Sequence, residues 1–472
     1  MEALSLSQIA HMSISQLAKG DGRRMFTGIS SDTRQIQPGD LYLALRGEHF
    51  DGHEFIGRAA ELGAAGAWVG NEWTPGDATR DLPEDFAILR APEPLDALGS
   101  YQRLAKTYRH KLMTPIIAIT GSNGKTSTKD LMACAFSSRL KVHKTQGNLN
   151  NHIGVPRTLL QLETDHDLGI IEMGMNNAGE IAALAGLAEP QVGVITSIGV
   201  AHIGRLGSQE AIAREKGSLL EALPPVGLAV LPAADPFTWF LREMTSADVI
   251  TGGVGEGDVS AHNLRSVGGG TEFQVRRQSG DGKALRGFLP MPGEHMVANA
   301  MLAMATVEGF APDMFAEALE ALCHAELTSG RMQVREIGGL RVLDDTYNAN
   351  PDSMIAGLQT LQRLCATTPG AHSIAVLGAM GELGAYESEG YEKVARAAGA
   401  AGVQTLISVN VDHPAMERAA LDSGVELFIP AASHAEAAAV LKQIATPRDY
   451  ILLKGSRSTR MESILTLLQD GN

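Results

Sequence analysis

The run PIIAITGSNGKTSTKDLMACAF, residues 115–136, carries the residues best suited to gripping a phosphate. Apolar Ile116, Ile117, Ala118 and Ile119 read as a buried parallel strand. Thr120-Gly121-Ser122-Asn123-Gly124-Lys125-Thr126-Ser127 follows, and then a helical pattern with Leu131, Met132, Ala135 and Phe136 on its apolar face. Strand, glycine turn with Lys-Thr, helix is the context a phosphate cradle needs. Gly121 and Gly124 let the backbone come close to an anion, and N–H groups at the helix start face its oxygens. In such a turn Lys125 reaches the β- and γ-phosphates and the Thr126 hydroxyl ligates Mg²⁺. One departure is clear: the strict pattern places Gly at position 119, and this chain has Ile119.

Other groups could share the work. Glu172 ends the apolar strand 169–173, and His202 follows another in Val200-Ala201-His202. Expected at strand ends on the edge that carries the turn, the two could share a Mg²⁺. Mg²⁺ prefers oxygen, so an imidazole ligand needs support from its surroundings. Taken alone, Glu172 serves equally as a site residue or a helix cap, and His202 as a satisfied loop histidine. Lys216, in Ala213-Arg214-Glu215-Lys216-Gly217-Ser218, reads by pattern as a solvated charge on a surface helix. Asp344-Asp345-Thr346-Tyr347-Asn348-Ala349-Asn350-Pro351 follows a strand; it is binding-loop material, or an Asx-turn leading into a helix. Arg331 in Ser329-Gly330-Arg331, and Lys454 and Arg457 in Leu453-Lys454-Gly455-Ser456-Arg457, put cations beside glycine, where an acyl or phosphoryl group would need charge. The polar cluster Ser30 to Arg34 is either a solvated loop or a ligand site.

The elements that position these groups read as α/β throughout. Residues 1–113 form a small α/β unit with a strand at Leu41–Leu45, a helix at Phe55–Leu62 ended by Gly63, and a loose excursion at Pro75–Asp85. Residues 114–327 alternate strand and helix, which implies a mostly parallel sheet; antiparallel strands near 271–275 and 285–289 lie at its edge. Residues 328–472 repeat the alternation as a doubly wound, Rossmann-like sheet, with ligands expected at the carboxyl ends of its strands. A length of 472 residues accords with three domains.

Composition narrows the class. The formal charge of −15 argues against a nucleic-acid-binding surface, so an anionic substrate must be held by local cations and Mg²⁺. No stretch is apolar enough to span a membrane, and the N-terminus lacks the basic and apolar regions of a signal peptide, so a cytoplasmic protein is expected. Cys134, Cys323 and Cys365 are widely spaced, form no metal motif, and are expected to fill core space.

The eight residues Thr120 to Ser127 resemble the shortened phosphate loop of the Mur ligases, the ATP-dependent amide-forming family of peptidoglycan synthesis, which accounts for the missing Gly. The likeness covers nearly the whole chain, through SDTRQIQPGDLYLALRGEHFDGHEF, KTQGNLNNHIGVPRTLL, DDTYNANPDSM and LLKGSRSTRME. YNANP, Tyr347 to Pro351, most resembles the branch that joins D-alanyl-D-alanine to UDP-N-acetylmuramoyl-tripeptide through an acyl phosphate. The D-N-P-R motif of the branch that adds a diamino acid is absent from the sequence.

The resemblance implies roles. ATP and two Mg²⁺ ions are the expected cofactors. Gly121, Ser122, Asn123, Gly124, Lys125, Thr126 and Ser127 would hold the phosphates and the first Mg²⁺, and Glu172, His202 and a carbamylated Lys216 the second. Asn299 would meet adenine, and Arg331 and Asp345 would reach the nucleotide phosphate and ribose. Ser31, Thr33, Arg34, Arg46 and Gly47 would hold the uridine diphosphate, and Asn148, Asn150 and Asn151 would line the acceptor site. Tyr347, Asn348, Asn350, Lys454 and Arg457 would serve the incoming dipeptide. The implied enzyme is a cytoplasmic monomer acting in cell-wall biogenesis, and through it in cell shape and division. Three positions depart from the family: Met296 replaces a usual Asn, Ser218 a usual Glu, and Ala379 a common acid. They bear on nucleotide affinity, not on the reaction class.

Overall fold

The computed structural model describes residues 1–47, 49–76, 79, 82–278, 283–411 and 413–469, so part of the expected excursion at Pro75–Asp85 lies outside the described residues. Two compact units emerge: residues 1–116, 141–173 and 183–190 form one, and 117–140, 174–182 and 191–472 the other.

In the first unit, Gln16–Lys19, Ala87–Arg90, Gly66–Val69, Leu41–Leu43 and Ile29–Ser30 lie side by side in that order. Within this sheet the Gln16–Lys19 pairing is antiparallel and the other three are parallel. The helix expected at Phe55–Leu62 starts as a tight turn, Gly52–Phe55, continues as Ile56–Glu61, and stops at Gly63, whose φ of 101° suits glycine. Residues 141–173 and 183–190 join this unit because the long helix Ala97–Lys111 packs on helix Gly154–Leu160. Its Tyr108 hydroxyl donates to the Leu162 carbonyl at 2.8 Å, and its Arg109 Nε to the Ala188 carbonyl at 3.2 Å. Here too strand Leu168–Glu172 runs parallel to Val142–Lys144.

The second unit holds two sheets. One runs, in spatial order, Leu285–Leu289, Gly270–Arg277, Val259–Val267, Asp248–Val254, Leu228–Pro232, Val192–Ile195 and Ile116–Thr120. The pairings are parallel except at the 259–289 edge, which is the expected antiparallel meander. The other runs Gln333–Ile337, Leu340–Asp345, Tyr450–Lys454, Ser373–Gly378, Thr405–Val409 and Leu427–Ala431, and is parallel apart from its first strand.

Two sequence expectations need correcting. Helix Lys125–Phe136 is buried almost all round rather than on one face, with Thr128, Lys129 and Asp130 inside as well. Helix Glu294–Phe310 covers it and is itself almost wholly buried. The three cysteines are half-buried rather than core.

Candidate functional site

The phosphate loop is held by what lies beneath it. Strand Ile116–Thr120 is fully buried and delivers the chain into the turn. Ser122 N–H donates to the Ser197 carbonyl at 2.9 Å and Asn123 N–H to the Ser197 hydroxyl at 3.0 Å. The Thr196 hydroxyl donates to the Asn123 carbonyl at 2.5 Å. A side chain at Gly121 would overlap the Thr196 hydroxyl, and one at Gly124, where φ is 82°, would come within 2.5 Å of Asn299 Oδ1. Both glycines are therefore required by close packing. Lys125 opens the helix and its ammonium donates to the Gly121 carbonyl at 2.7 Å, which keeps the cation over the turn. Thr126 and Ser127 are buried at the helix start. Asn299 is buried against the loop, its amide 3.9 Å from the Met296 sulfur.

Lys216 overturns its surface reading. It lies on helix Gln209–Glu221 with only 1% of its surface exposed. Burial pushes its ammonium well below the usual lysine range, and the positive charge of Lys125 adds to that, against the opposing pull of Glu215. The Glu215 carboxylate accepts the N–H groups of Gly179 at 2.7 Å and Ile181 at 2.9 Å, so it is committed to the start of an earlier helix, Glu180–Ala188. His202 is held in the left-handed region, at φ 66°, at the head of the short helix Ile203–Leu206. Its Nδ1 lies 2.7 Å from Oε2 of Glu382.

The turn after strand Leu340–Asp345 belongs to the same unit and leans on the phosphate loop. Asn350 caps helix Pro351–Ala366 by accepting Ser353 N–H, and its Nδ2 donates to Asn123 Oδ1 at 2.8 Å. Asp352 Oδ2 accepts Val200 N–H at 3.1 Å. Arg331 donates to the Thr126 hydroxyl at 2.9 Å, and its guanidinium stacks 4.1 Å from the Tyr347 ring, with Arg457 6.0 Å from that ring. Asp345 and Lys454 are register partners at the ends of neighbouring strands and form a buried ion pair. Lys454 also donates to the Asn348 carbonyl at 3.0 Å, and Arg457 N–H donates to Asn348 Oδ1 at 3.3 Å. Lys454 and Arg457 thus shape the turn. Asp344 Oδ1 accepts the Thr346 N–H at 3.4 Å and the Thr346 hydroxyl at 2.7 Å, so the Asx-turn reading of this stretch is also realised.

The first unit carries the remaining residues. Asn150 Nδ2 donates to Glu172 Oε1 at 2.9 Å, and Glu172 N–H donates to the Thr145 hydroxyl at 2.9 Å, which fixes the buried carboxylate. Asn151 Oδ1 accepts the N–H groups of Ile153 and Gly154 and starts the next helix, while the Asn148 carbonyl accepts Asn150 N–H at 2.8 Å. Ser31 and Arg34 are exposed and Thr33 is half-buried; Arg34 pairs with Asp32 at 2.8 Å. Arg46 pairs with Asp51 at 2.9 Å, and Gly47 N–H closes a small loop on the Phe50 carbonyl. Arg46 also borders a cleft of about 240 Å³ lined by His53, Asn71, Trp73 and His152 among others. His53 was not anticipated. Its Nδ1 lies 2.5 Å from Asp51 Oδ1 and its Nε2 accepts Gly70 N–H, so it stands as the neutral Nδ1–H tautomer.

Comparison with known proteins places this arrangement. The Mur ligase family, catalytic domain, matches residues 25–73; the Mur ligase middle domain matches 119–307; and the Mur ligase, glutamate ligase domain, matches 330–457. The chain is 37% identical over 448 residues to the UDP-N-acetylmuramoyl-tripeptide–D-alanyl-D-alanine ligase of Synechocystis, covering 93% of this chain and 91% of the relative. It is 34% identical to the Escherichia coli protein of the same name, covering 100% of this chain and 99% of that one. Its structure resembles a crystal structure of MurF from Acinetobacter baumannii with a TM-score of 0.86 at 29% identity, covering 100% of this chain and 99% of that one.

Proposed function

The chain belongs to the Mur ligase family, and on that premise we propose that it joins D-alanyl-D-alanine to UDP-N-acetylmuramoyl-tripeptide at the expense of ATP, releasing ADP and phosphate. Its fold is the three-domain α/β architecture of that family. We assign residues 1–113 to the UDP-substrate domain, 114–327 to the ATP-binding domain and 328–472 to the dipeptide domain. The observation that carries the reading is the meeting of two motifs in one compact unit. The phosphate loop touches the YNANP turn through Asn123–Asn350, and its Thr126 takes a hydrogen bond from Arg331, which stacks on Tyr347 of that turn.

In this reading an oxygen of the tripeptide's terminal carboxylate attacks the γ-phosphorus, the bond to the bridging oxygen breaks, and ADP leaves. The dipeptide amine then attacks the acyl carbon of the acyl phosphate. The carbon–oxygen bond breaks, inorganic phosphate carries off the electron pair, and the new amide nitrogen loses a proton. The protein supplies position and charge. Lys125 and Arg331 face the phosphates, Asn299 the adenine, and Asp345 the ribose. Tyr347, Asn348 and Asn350 seat the dipeptide, with Lys454 and Arg457 behind them. Ser31, Thr33, Arg34, Arg46 and Gly47 hold the uridine diphosphate, and Asn148, Asn150 and Asn151 line the tripeptide.

The donor set fits two Mg²⁺ ions, which would neutralise charge on the phosphoryl oxygens. Thr126 offers a hydroxyl, Glu172 a carboxylate and His202 an imidazole. Lys216 fits only when carbamylated. Its burial beside Lys125 favours the neutral amine, the form that adds carbon dioxide, giving an anionic carbamate and a proton. One chain carries every residue assigned here, so a cytoplasmic monomer suffices.

The test mixes the protein with ATP, Mg²⁺, UDP-N-acetylmuramoyl-tripeptide and D-alanyl-D-alanine. A UDP-pentapeptide mass with stoichiometric phosphate is expected, and much weaker use of meso-diaminopimelate, lysine or D-alanine as acceptor. No substrate-dependent phosphate release, or preference for a single amino acid, would overturn the assignment.

A further inference from the structure

His202 and Glu382 come from different parts of the second unit. His202 lies in the stretch matched by the middle domain, and Glu382 in the stretch matched by the glutamate ligase domain. Both adopt the left-handed backbone conformation rarely taken by residues other than glycine, at φ 66° and 63°. Such conformations persist where the surroundings impose them. Here two turns are mated backbone to backbone. A side chain at Gly204 would come within 2.9 Å of the Glu382 carbonyl and 3.0 Å of Gly384 N. The result is a carboxylate oxygen 2.7 Å from Nδ1 of a histidine whose side chain is 19% exposed. The contact is close but bent away from the imidazole's preferred direction.

We propose that Glu382 is a positioning residue for His202: it holds the proton on Nδ1, aims the ring, and leaves Nε2 as the nitrogen with a lone pair to offer a divalent cation. The inference rests on the reading of His202 as a metal ligand. Imidazole is a poor partner for Mg²⁺, so a fixed tautomer and a fixed ring orientation matter more here than at a zinc site. Because Glu382 comes from the third region, the ligand is fully set only when that region is docked. Metal affinity and docking are therefore coupled through one side-chain pair. The sequence drew notice to this stretch only for Ala379, the missing acid; the acid that reaches the site stands three residues later.

The experiment uses the full chain with a non-hydrolysable ATP analogue and counts bound Mn²⁺ by electron paramagnetic resonance, beside the thermal midpoint of each variant. Glu382→Ala is expected to weaken Mn²⁺ binding about 10- to 100-fold. Glu382→Gln, which keeps an oxygen to accept from Nδ1–H, should stay within about 3-fold of the parent. The same change in Mg²⁺ demand should appear in turnover, with kcat recovering at saturating Mg²⁺. A purely structural pair would lower the thermal midpoint and leave Mn²⁺ affinity where it was, and that result overturns the proposal. A glutamine variant as weak as the alanine one overturns it too. Should Glu382→Ala not fold, ¹⁵N ring shifts of His202 in the parent and Glu382→Gln decide: a single Nδ1–H tautomer upholds the proposal and a mixture refutes it. A parent protein with no nucleotide-dependent Mn²⁺ site would instead refute the ligase reading itself.

Discussion

The phosphate loop and the turn that leans on it, residues 345–352, are held in opposite ways. The loop is fixed by its backbone. Its N–H and carbonyl groups engage Thr196 and Ser197, and its two glycines sit where no side chain fits. The turn is fixed by side chains. Asp345 pairs with Lys454, Asn348 takes bonds from Lys454 and Arg457, and Asn350 and Asp352 reach across to Asn123 and Val200. A backbone-held loop tolerates almost no added volume but leaves its side chains for chemistry. A side-chain-held turn tolerates volume but loses its shape one partner at a time.

The sharpest way to break this comparison is Gly121→Ala. The new methyl must displace the Thr196 hydroxyl, which itself pins the Asn123 carbonyl. ATP affinity measured by calorimetry on the folded variant should fall about 1,000-fold, or ~4 kcal/mol, and the overpacking should lower the thermal midpoint as well. Affinity within about 5-fold of the parent would mean that the loop is not held by close packing.

Arg331→Ala comes next. Arg331, stacked on Tyr347 of the turn, touches the loop through the Thr126 hydroxyl. As a phosphate-facing donor its loss should lower kcat by about 100- to 1,000-fold. Because its guanidinium also stacks on Tyr347, Arg331→Lys should recover little, since an ammonium cannot keep the planar stack and the hydrogen bond together. Recovery by lysine would reduce Arg331 to a point charge.

These two changes also mark how much was legible beforehand. The loop could be read because strand, glycines, Lys125 and helix are contiguous, and local order alone dictates their geometry. The same holds for Asn350, whose place before a proline-started helix is a capping pattern. The contacts between loop and turn could not be read. Asn123 and Asn350 stand 227 residues apart, and Thr126 and Arg331 205 apart, so only the fold brings them together. Lys216 looked solvated because its neighbours in sequence are charged, yet packing from elsewhere buries it. The antiparallel edge strand Gln333–Ile337 escaped notice because Arg335 and Glu336 break its alternation, and an edge strand is free to carry such charges.

A third test asks whether the turn's charges reach past the turn. His295 lies near the start of helix Glu294–Phe310 and senses Asp345, Lys454 and Arg363. Burial is the main cause that pushes its imidazole down to about 4, and Lys454 and Arg363 push the same way. The sign follows from linkage. Between pH 6.5 and 4 the unfolded chain binds a proton at this position and the folded chain does not, so stability falls as pH drops through that window. The loss by pH 4 should be on the order of 3 kcal/mol. His295→Gln should flatten that limb in urea titrations, and an unchanged slope would show that the histidine is already solvated.

The smallest effect separates the two ways of holding most finely. Asn350 does two jobs: it caps its own helix and it donates to Asn123 Oδ1. Asn350→Ala should cost about 1 kcal/mol of stability through the lost cap alone. Asn350→Ser keeps a capping oxygen and removes only the reach to Asn123, so stability should return while the KM for ATP stays raised by about 5-fold. Combined with Asn123→Ala in a double-mutant cycle, the two changes should be non-additive by about 1 kcal/mol in kcat/KM. Additive effects would mean that the turn and the loop merely lie side by side. Coupling of the expected size would make this amide pair the point at which the backbone-held loop senses the side-chain-held turn.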